Sequence, residues 1–318
     1  MGETLSKPTS PSRAFGAGPS LSPQRVEREL FTRESACRFG IAALPYVWLL
    51  LFFLVPFLIV LKISLAEPAV AIPPYTPLLG GGRLHITGAN YLFLLSDPLY
   101  WKAYLGAIRY AAIATLITLV LGYPLAYGIA RAPARWRGLL LMLVILPFWT
   151  SFLIRIYAWI GLLKENGIIN HALMSLGLLD APLPLIDNDF SVILGLVYAY
   201  LPFMVLPLYA QLEKLDPALT EAAADLGAPP IRAFWQVTLP LSLPGIAAGV
   251  LLVFIPAVGE FVIPDLLGGP HTLMVGRILW DEFFTNRDWP MASALAVAML
   301  LLLALPMGLV RRLLRGAA

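Results

Sequence analysis

The sequence predicts an all-α membrane protein with six transmembrane helices. Of its 318 residues, 59% are hydrophobic and 13% charged, about half the ~25% charged share of soluble domains. The apolar residues gather into runs of roughly 20, the length that crosses a bilayer core. The cations cluster in alternate gaps between those runs, as the positive-inside rule requires of a multi-pass protein. Cys37 is the single cysteine, so no disulfide framework and no cysteine metal cluster is available. Gly80-Gly81-Gly82-Arg83 is not a phosphate-cradling Gly-rich loop ending in Lys-Ser or Lys-Thr, and none occurs elsewhere. The chain therefore holds no ATP site of its own.

Residues 1–40 are rich in Ser, Pro, Gly and charge and predict a disordered tail. No apolar signal-peptide core precedes Ile41, so the first span, within 41–66, is expected to stay in the mature protein. A Pro- and Gly-rich stretch follows to Gly82. Asp97-Pro98 is a helix start, and a multi-span helical core is expected over 100–312. Within it the second span covers about 104–130, the third 139–162, the fourth 190–212, the fifth 245–262 and the sixth 290–310. A short helix is expected over 168–178.

Arg131, Arg135, Arg137, Lys214, Arg232, Arg311, Arg312 and Arg315 fall on the same side as the basic tail. That side, with both termini, is expected to be the cytoplasm. Pro56, Pro124, Pro147, Pro202, Pro207 and Pro256 lie inside spans. Proline is tolerated there when neighbours or water satisfy the freed backbone groups, which favours a transporter over a passive anchor.

A polar hairpin over 213–242 interrupts the fourth and fifth spans. Asp216 is a good N-cap, Pro217 suits the first turn and Gly227 can close the helix in a left-handed conformation. A second short helix is expected over 231–238, stopping before Pro240. Leu219, Ala222, Ala223 and Leu226 share one face at helical spacing. An isolated helix this short is marginal in water, so it either packs on its own protein or docks on another.

Two ionisable residues fall inside spans, Arg155 in the third and Glu260 in the fifth. Along straight helices each sits roughly 24 Å from the inner side at about 1.5 Å per residue. Such groups face a bundle interior or an aqueous path. One reading is an Arg155–Glu260 ion pair that ties helices together. The other is that Glu260, with Trp149, Tyr157 or Phe261, lines the path of a cationic solute, since carboxylates and aromatic faces attract ammonium groups. His85, His171 and His271 show no metal-ligand spacing.

Glu221-Ala222-Ala223, then Gly227, Val237 and Leu239-Pro240, resembles the EAA loop of ATP-binding-cassette importer permeases, with Val237 where the family pattern has Ile. Leu146-Pro147-Phe148-Trp149-Thr150-Ser151 through Trp159, Pro256 to Pro264 and Asn286-Arg287-Asp288-Trp289-Pro290 are similar to polyamine importer permeases of the putrescine and spermidine types. The resemblance covers nearly all of the chain after the tail. It implies the type I (MetI-like) permease fold and a subunit that is not itself an enzyme. It further implies that Glu221, Ala222, Ala223, Gly227, Leu239 and Pro240 couple to an ATPase dimer that binds ATP and Mg. The other partners implied are a second homologous permease, a periplasmic polyamine-binding protein and membrane lipid, with no nucleic acid. Putrescine is the expected solute. Spermidine, iron, sulfate or opine importers share the loop and stay open, and a secondary transporter is the remaining alternative.

Overall fold

The computed structural model describes residues 43–77, 79–80 and 83–316; the expected tail over 1–40 lies outside them. By internal contacts the chain divides into residues 1–58 and 59–318. The described helix α1, Ala43–Ser64, crosses that division. It widens into a π-turn over Leu50–Leu54, where the Val55 N–H donates to Leu50 O, five residues back. Pro56 explains the widening. A proline has no N–H for the carbonyl four residues earlier and its ring collides with that carbonyl, so a wide turn moves the carbonyl aside.

In the second unit, Pro68 and Tyr75 form an isolated antiparallel bridge, and β1 (Leu79–Gly80) pairs antiparallel with β2 (Arg83–Leu84). Helix α2 (Ala89–Ser96) leads to α3 (Pro98–Arg131), which starts on Asp97: its Oδ1 accepts the Leu99 N–H at 2.8 Å. The second span thus begins six residues before the expected Tyr104, because the cap and Pro98 together form a favourable first turn.

The third span is not one helix. α4 (Ala134–Trp149) and the segment Phe152–Ser175 meet at an angle of 88°. The last turn of α4, Leu146–Trp149, is 3-10, and Thr150 is extended. Thr150 closes the turn by donating its hydroxyl to Pro147 O at 2.8 Å. Beyond the break lie α5 (Phe152–Leu163) and α6 (Ile168–Ser175).

Helix α7 (Asp189–Leu212) opens with a reciprocal cap, Asn188 Oδ1 accepting the Ser191 N–H at 3.0 Å while Ser191 Oγ accepts the Asn188 N–H. After α8 (Pro217–Asp225) comes α9, continuous from Pro230 to Val258. The expected stop before Pro240 does not occur. A π-turn over Phe234–Thr238, with the Leu239 N–H on Phe234 O, gives the ring of Pro240 room, as in α1. The fifth span also ends earlier than expected, at Val258, and α10 (Val262–Leu267) is a separate short helix. α11 (Val275–Trp280) and α12 (Trp289–Gly316) complete the fold.

Four described helices are long and apolar enough to cross a membrane, and five segments are if the bent pair counts as one span. The sixth expected span falls on α12, whose apolar stretch Trp289–Ala304 is shorter over its described side chains. The core lies where α3, α7 and α9 pack together. Without a hydrophobic drive between helices in lipid, small residues matter because they let backbones approach. Ala107, Ala111 and Ala114 of α3 are fully buried. On α9, a Cβ at Gly249 would lie 2.6 Å from Met204 Sδ, and one at Gly245 2.7 Å from Gln211 Cβ. These two glycines thus let α9 lie directly against α7.

Candidate functional site: the two ends of one helix

At one end of α9 stands the hairpin. Asp216 Oδ1 accepts the Ala218 N–H at 2.9 Å, Pro217 occupies the first turn, and Gly227 closes α8 at φ +79. The Ala228 N–H reaches back to Ala223 O at 3.0 Å. These are the local terms that order a nine-residue helix without a buried face, since none of its residues is buried. Leu219, Leu226, Ile231 and Trp235 stand exposed, Leu226 at 90%. Large apolar side chains left exposed on so short a hairpin are a surface available for docking. Glu221 is exposed as well.

The hairpin is not loosely hung. Phe234, in the π-turn, sits edge-on to Tyr123 and Tyr127 of α3, with ring centroids 5.6 and 6.1 Å away. Thr238 beside it is buried, and Arg137 pairs with Glu213 at 3.4 Å. Leu239 and Pro240 belong to α9 itself.

At the other end α9 stops at Gly259, and Glu260 lies in the gap before α10. Its carboxylate holds that gap together. Tyr200 OH donates to Oε2 at 2.7 Å, and the Val262 N–H donates to Oε1 at 3.0 Å. Gly276 of α11 presses on the same gap, for a Cβ there would lie 2.5 Å from both the Gly259 and Glu260 carbonyl oxygens. The ring of Phe261 stacks on Trp280 at 4.3 Å, and Trp280 meets Phe284 at 4.1 Å.

Arg155 and Glu260 do not pair. The described ion pairs are Arg109–Asp189, Arg137–Glu213 and Arg277–Asp265. Equal depth holds only for a straight third span, and the 88° bend after Trp149 breaks it. The Arg155 guanidinium lies over the rings of Phe148 at 4.9 Å and Phe152 at 5.6 Å, with Nε and Nη1 buried and without an acceptor. Phe148 packs on Phe203 at 5.2 Å, and Phe203 on Tyr200 at 6.0 Å. Aromatic rings therefore stand between cation and carboxylate. Trp149 and Tyr157 are exposed, at 71% and 58%, and make no hydrogen bond or ring contact with Glu260 among the described residues.

Tyr200, Phe203, Gly276 and Trp280 are site residues that the sequence did not single out. No spacing relates them to Glu260, because α7, α10 and α11 meet only in the fold. Chemically, the gap offers a carboxylate with no cationic partner among the described residues, two neutral donors and nearby aromatic faces. Carboxylates and aromatic faces are both groups that attract cations.

Residues 119–317 match the family described as binding-protein-dependent transport system inner membrane component. This chain belongs to that family. Within it, the chain is 43% identical over 266 residues to the spermidine/putrescine transport system permease protein PotB of Haemophilus influenzae, covering 83% of this chain and 89% of that protein. With the permease of the same description from Escherichia coli, identity is 45% over 223 residues, 70% of this chain and 81% of that one. Among solved structures, a bacterial alginate ABC transporter in complex with an alginate-pentasaccharide-bound periplasmic protein superposes at TM-score 0.66 and 18% identity, over 88% of this chain and 96% of that chain. The inward-facing methionine transporter MetNI gives 0.53 at 18%, over 70% and 99%. The family member described here thus has the all-α, MetI-like fold of ABC importer permeases.

Proposed function

We propose that this chain is the membrane permease subunit of an ATP-driven importer that moves polyamines into the cytoplasm. The observation that carries the reading is the 43–45% identity to spermidine/putrescine permeases over most of both chains. The proposed partners are a dimeric ATPase that holds ATP and Mg, a second homologous permease and a periplasmic polyamine-binding protein. Both termini and the hairpin then face the cytoplasm.

The geometry fits a mechanical role. The capped hairpin carrying Glu221, Ala222, Ala223 and Gly227 offers the ATPase an exposed apolar face. α9 runs from there to the Glu260 gap, 29 residues or roughly 43 Å at about 1.5 Å per residue. A push on the hairpin therefore moves the carboxylate end of the same rigid helix, while solute enters the space between the two permeases. Glu260 is the candidate for reading the ammonium charge, with Phe261 and Trp280 beside it.

Putrescine is the specific solute proposed, with spermidine as its competitor. Uptake of labelled putrescine and spermidine by cells carrying the whole transporter tests this, together with calorimetric titration of its periplasmic protein. Saturable uptake of putrescine, blocked by excess diamine, is the expected result. Preferential uptake of spermidine replaces putrescine within the polyamine reading, and selective uptake of sulfate or ferric iron overturns that reading altogether.

A further inference from the structure

We propose that the outer end of α3 carries a binding site for the phosphate of an anionic phospholipid. Lys102, Arg109 and His271 line a single cavity of about 310 Å³. The cavity is set by the fold and not by chance proximity of surface chains. A Cβ at Gly106 would collide with the Leu273 carbonyl oxygen, so only glycine lets the loop bearing His271 lie directly on α3. Thr272 Oγ1 donates to Asp189 Oδ1 at 3.2 Å, and Tyr110 OH donates to the same oxygen at 2.6 Å. The loop is thereby pinned to both α3 and α7. Asp189 is the acid that faces this cluster, its Oδ2 3.7 Å from Arg109 Nη2. Among the described residues Lys102 and His271 pair with no carboxylate, which leaves the cavity with a net positive charge.

Position along the helix decides the class of anion. The stretch from Tyr110 to Ala130 holds no charged residue, and Arg109 and Arg131 bracket it. The twenty-two steps between the two arginines rise roughly 33 Å at about 1.5 Å per residue. That matches the ~30 Å hydrocarbon core of a bilayer. Arg109 then lies at the edge of the hydrocarbon, and Lys102, roughly 10 Å further along, lies in the headgroup layer. Snorkelling alone would account for a lone arginine at that depth, but not for a cavity that brings in His271 from another element.

The surface below the cavity supplies the second half of the ligand's chemistry. Lys102, Leu105, Arg109, Ala112, Leu116 and Val120 follow one another by three or four residues and form one exposed stripe on α3. Leu105, Leu116 and Val120 are each 62% exposed. A phosphodiester held by Lys102, Arg109 and His271 would lay its acyl chain along that stripe. A free phosphate would use the cations and leave the stripe without purpose.

Native mass spectrometry of the purified transporter complex containing this chain, titrated with phosphatidylglycerol and phosphatidylcholine of equal chain length, tests the site. Phosphatidylglycerol should persist at collision energies that strip phosphatidylcholine. Lys102→Gln should lower its retention about fivefold, the weight of one basic residue at an anionic surface, and Lys102→Arg should keep it. Equal retention of the two lipids, or unchanged retention in Lys102→Gln, overturns the proposal. Displacement of the lipid by equimolar inorganic phosphate overturns it in favour of a free-anion site. Loss of a protein subunit from Lys102→Gln with lipid retention intact overturns it in favour of a protein neighbour on this face.

Discussion

Gly227→Pro should abolish uptake, by more than about tenfold, while leaving the membrane bundle folded. Gly227 closes α8 at φ +79, a conformation that proline, fixed near −65°, cannot adopt. Its N–H also donates to Ala224 O at 2.8 Å, and proline has no such donor. The hairpin helix would lose its closing turn, and with it the geometry of the face proposed to meet the ATPase. Because α8 buries nothing, the loss is local, and the unfolding temperature in detergent should shift little. Gly227→Asn is the informative companion. Asparagine enters the left-handed region at small cost, so this variant should keep most of the uptake. The proposed coupling fails if Gly227→Pro transports at the wild-type rate, or if Gly227→Asn loses uptake as completely as Gly227→Pro does.

The second large effect is expected at Glu260. Glu260→Gln keeps a side chain of the same shape and one oxygen that can still accept from the Val262 N–H. It removes the charge, and turns the oxygen facing Tyr200 OH into an N–H2 group that can donate to that hydroxyl. Uptake of a cationic substrate should fall about tenfold or more, the equivalent of ~1.4 kcal/mol, which is at the lower edge of what a hydrogen bond to a charged group contributes. Thermal stability should change much less. Arg155→Met supplies the control. Two buried guanidinium N–H groups without acceptors offset what the contacts with Phe148 and Phe152 contribute, so an apolar chain of similar volume is expected to be neutral or stabilising. Had the two residues formed a structural ion pair, both variants would lose stability together. Parallel uptake and melting measurements separate the cases. A Glu260→Gln protein that melts early yet transports normally contradicts the charge-reading role.

The hairpin was legible because its signals are local. Asp216, Pro217 and Gly227 each act on backbone within a few residues, and each stands in the structure where capping chemistry requires. Asp97-Pro98 was legible for the same reason. The prolines were read too strictly. Pro240 does not end a helix, because the Phe234–Thr238 π-turn absorbs its missing donor, and whether a turn can widen depends on what it packs against. Here Phe234 is braced by Tyr123 and Tyr127. That single misreading hid the continuity of α9, and so the link between hairpin and carboxylate. The partner of Glu260 was hidden for a different reason. Linear rise along a sequence gives depth only for straight helices, and the 88° bend after Trp149 puts Arg155 among rings while Tyr200, sixty residues from Glu260, takes the carboxylate.

The central claim is that force enters through the hairpin from a nucleotide-hydrolysing partner and travels along α9 to the Glu260 gap. Its most direct test is polyamine uptake into proteoliposomes, measured with the permease chains alone and with the ATPase, ATP, Mg and the binding protein added. The account predicts uptake only in the complete, ATP-supplied vesicles, abolished there by Gly227→Pro. Accumulation driven by an ion gradient in vesicles that lack the ATPase would contradict it.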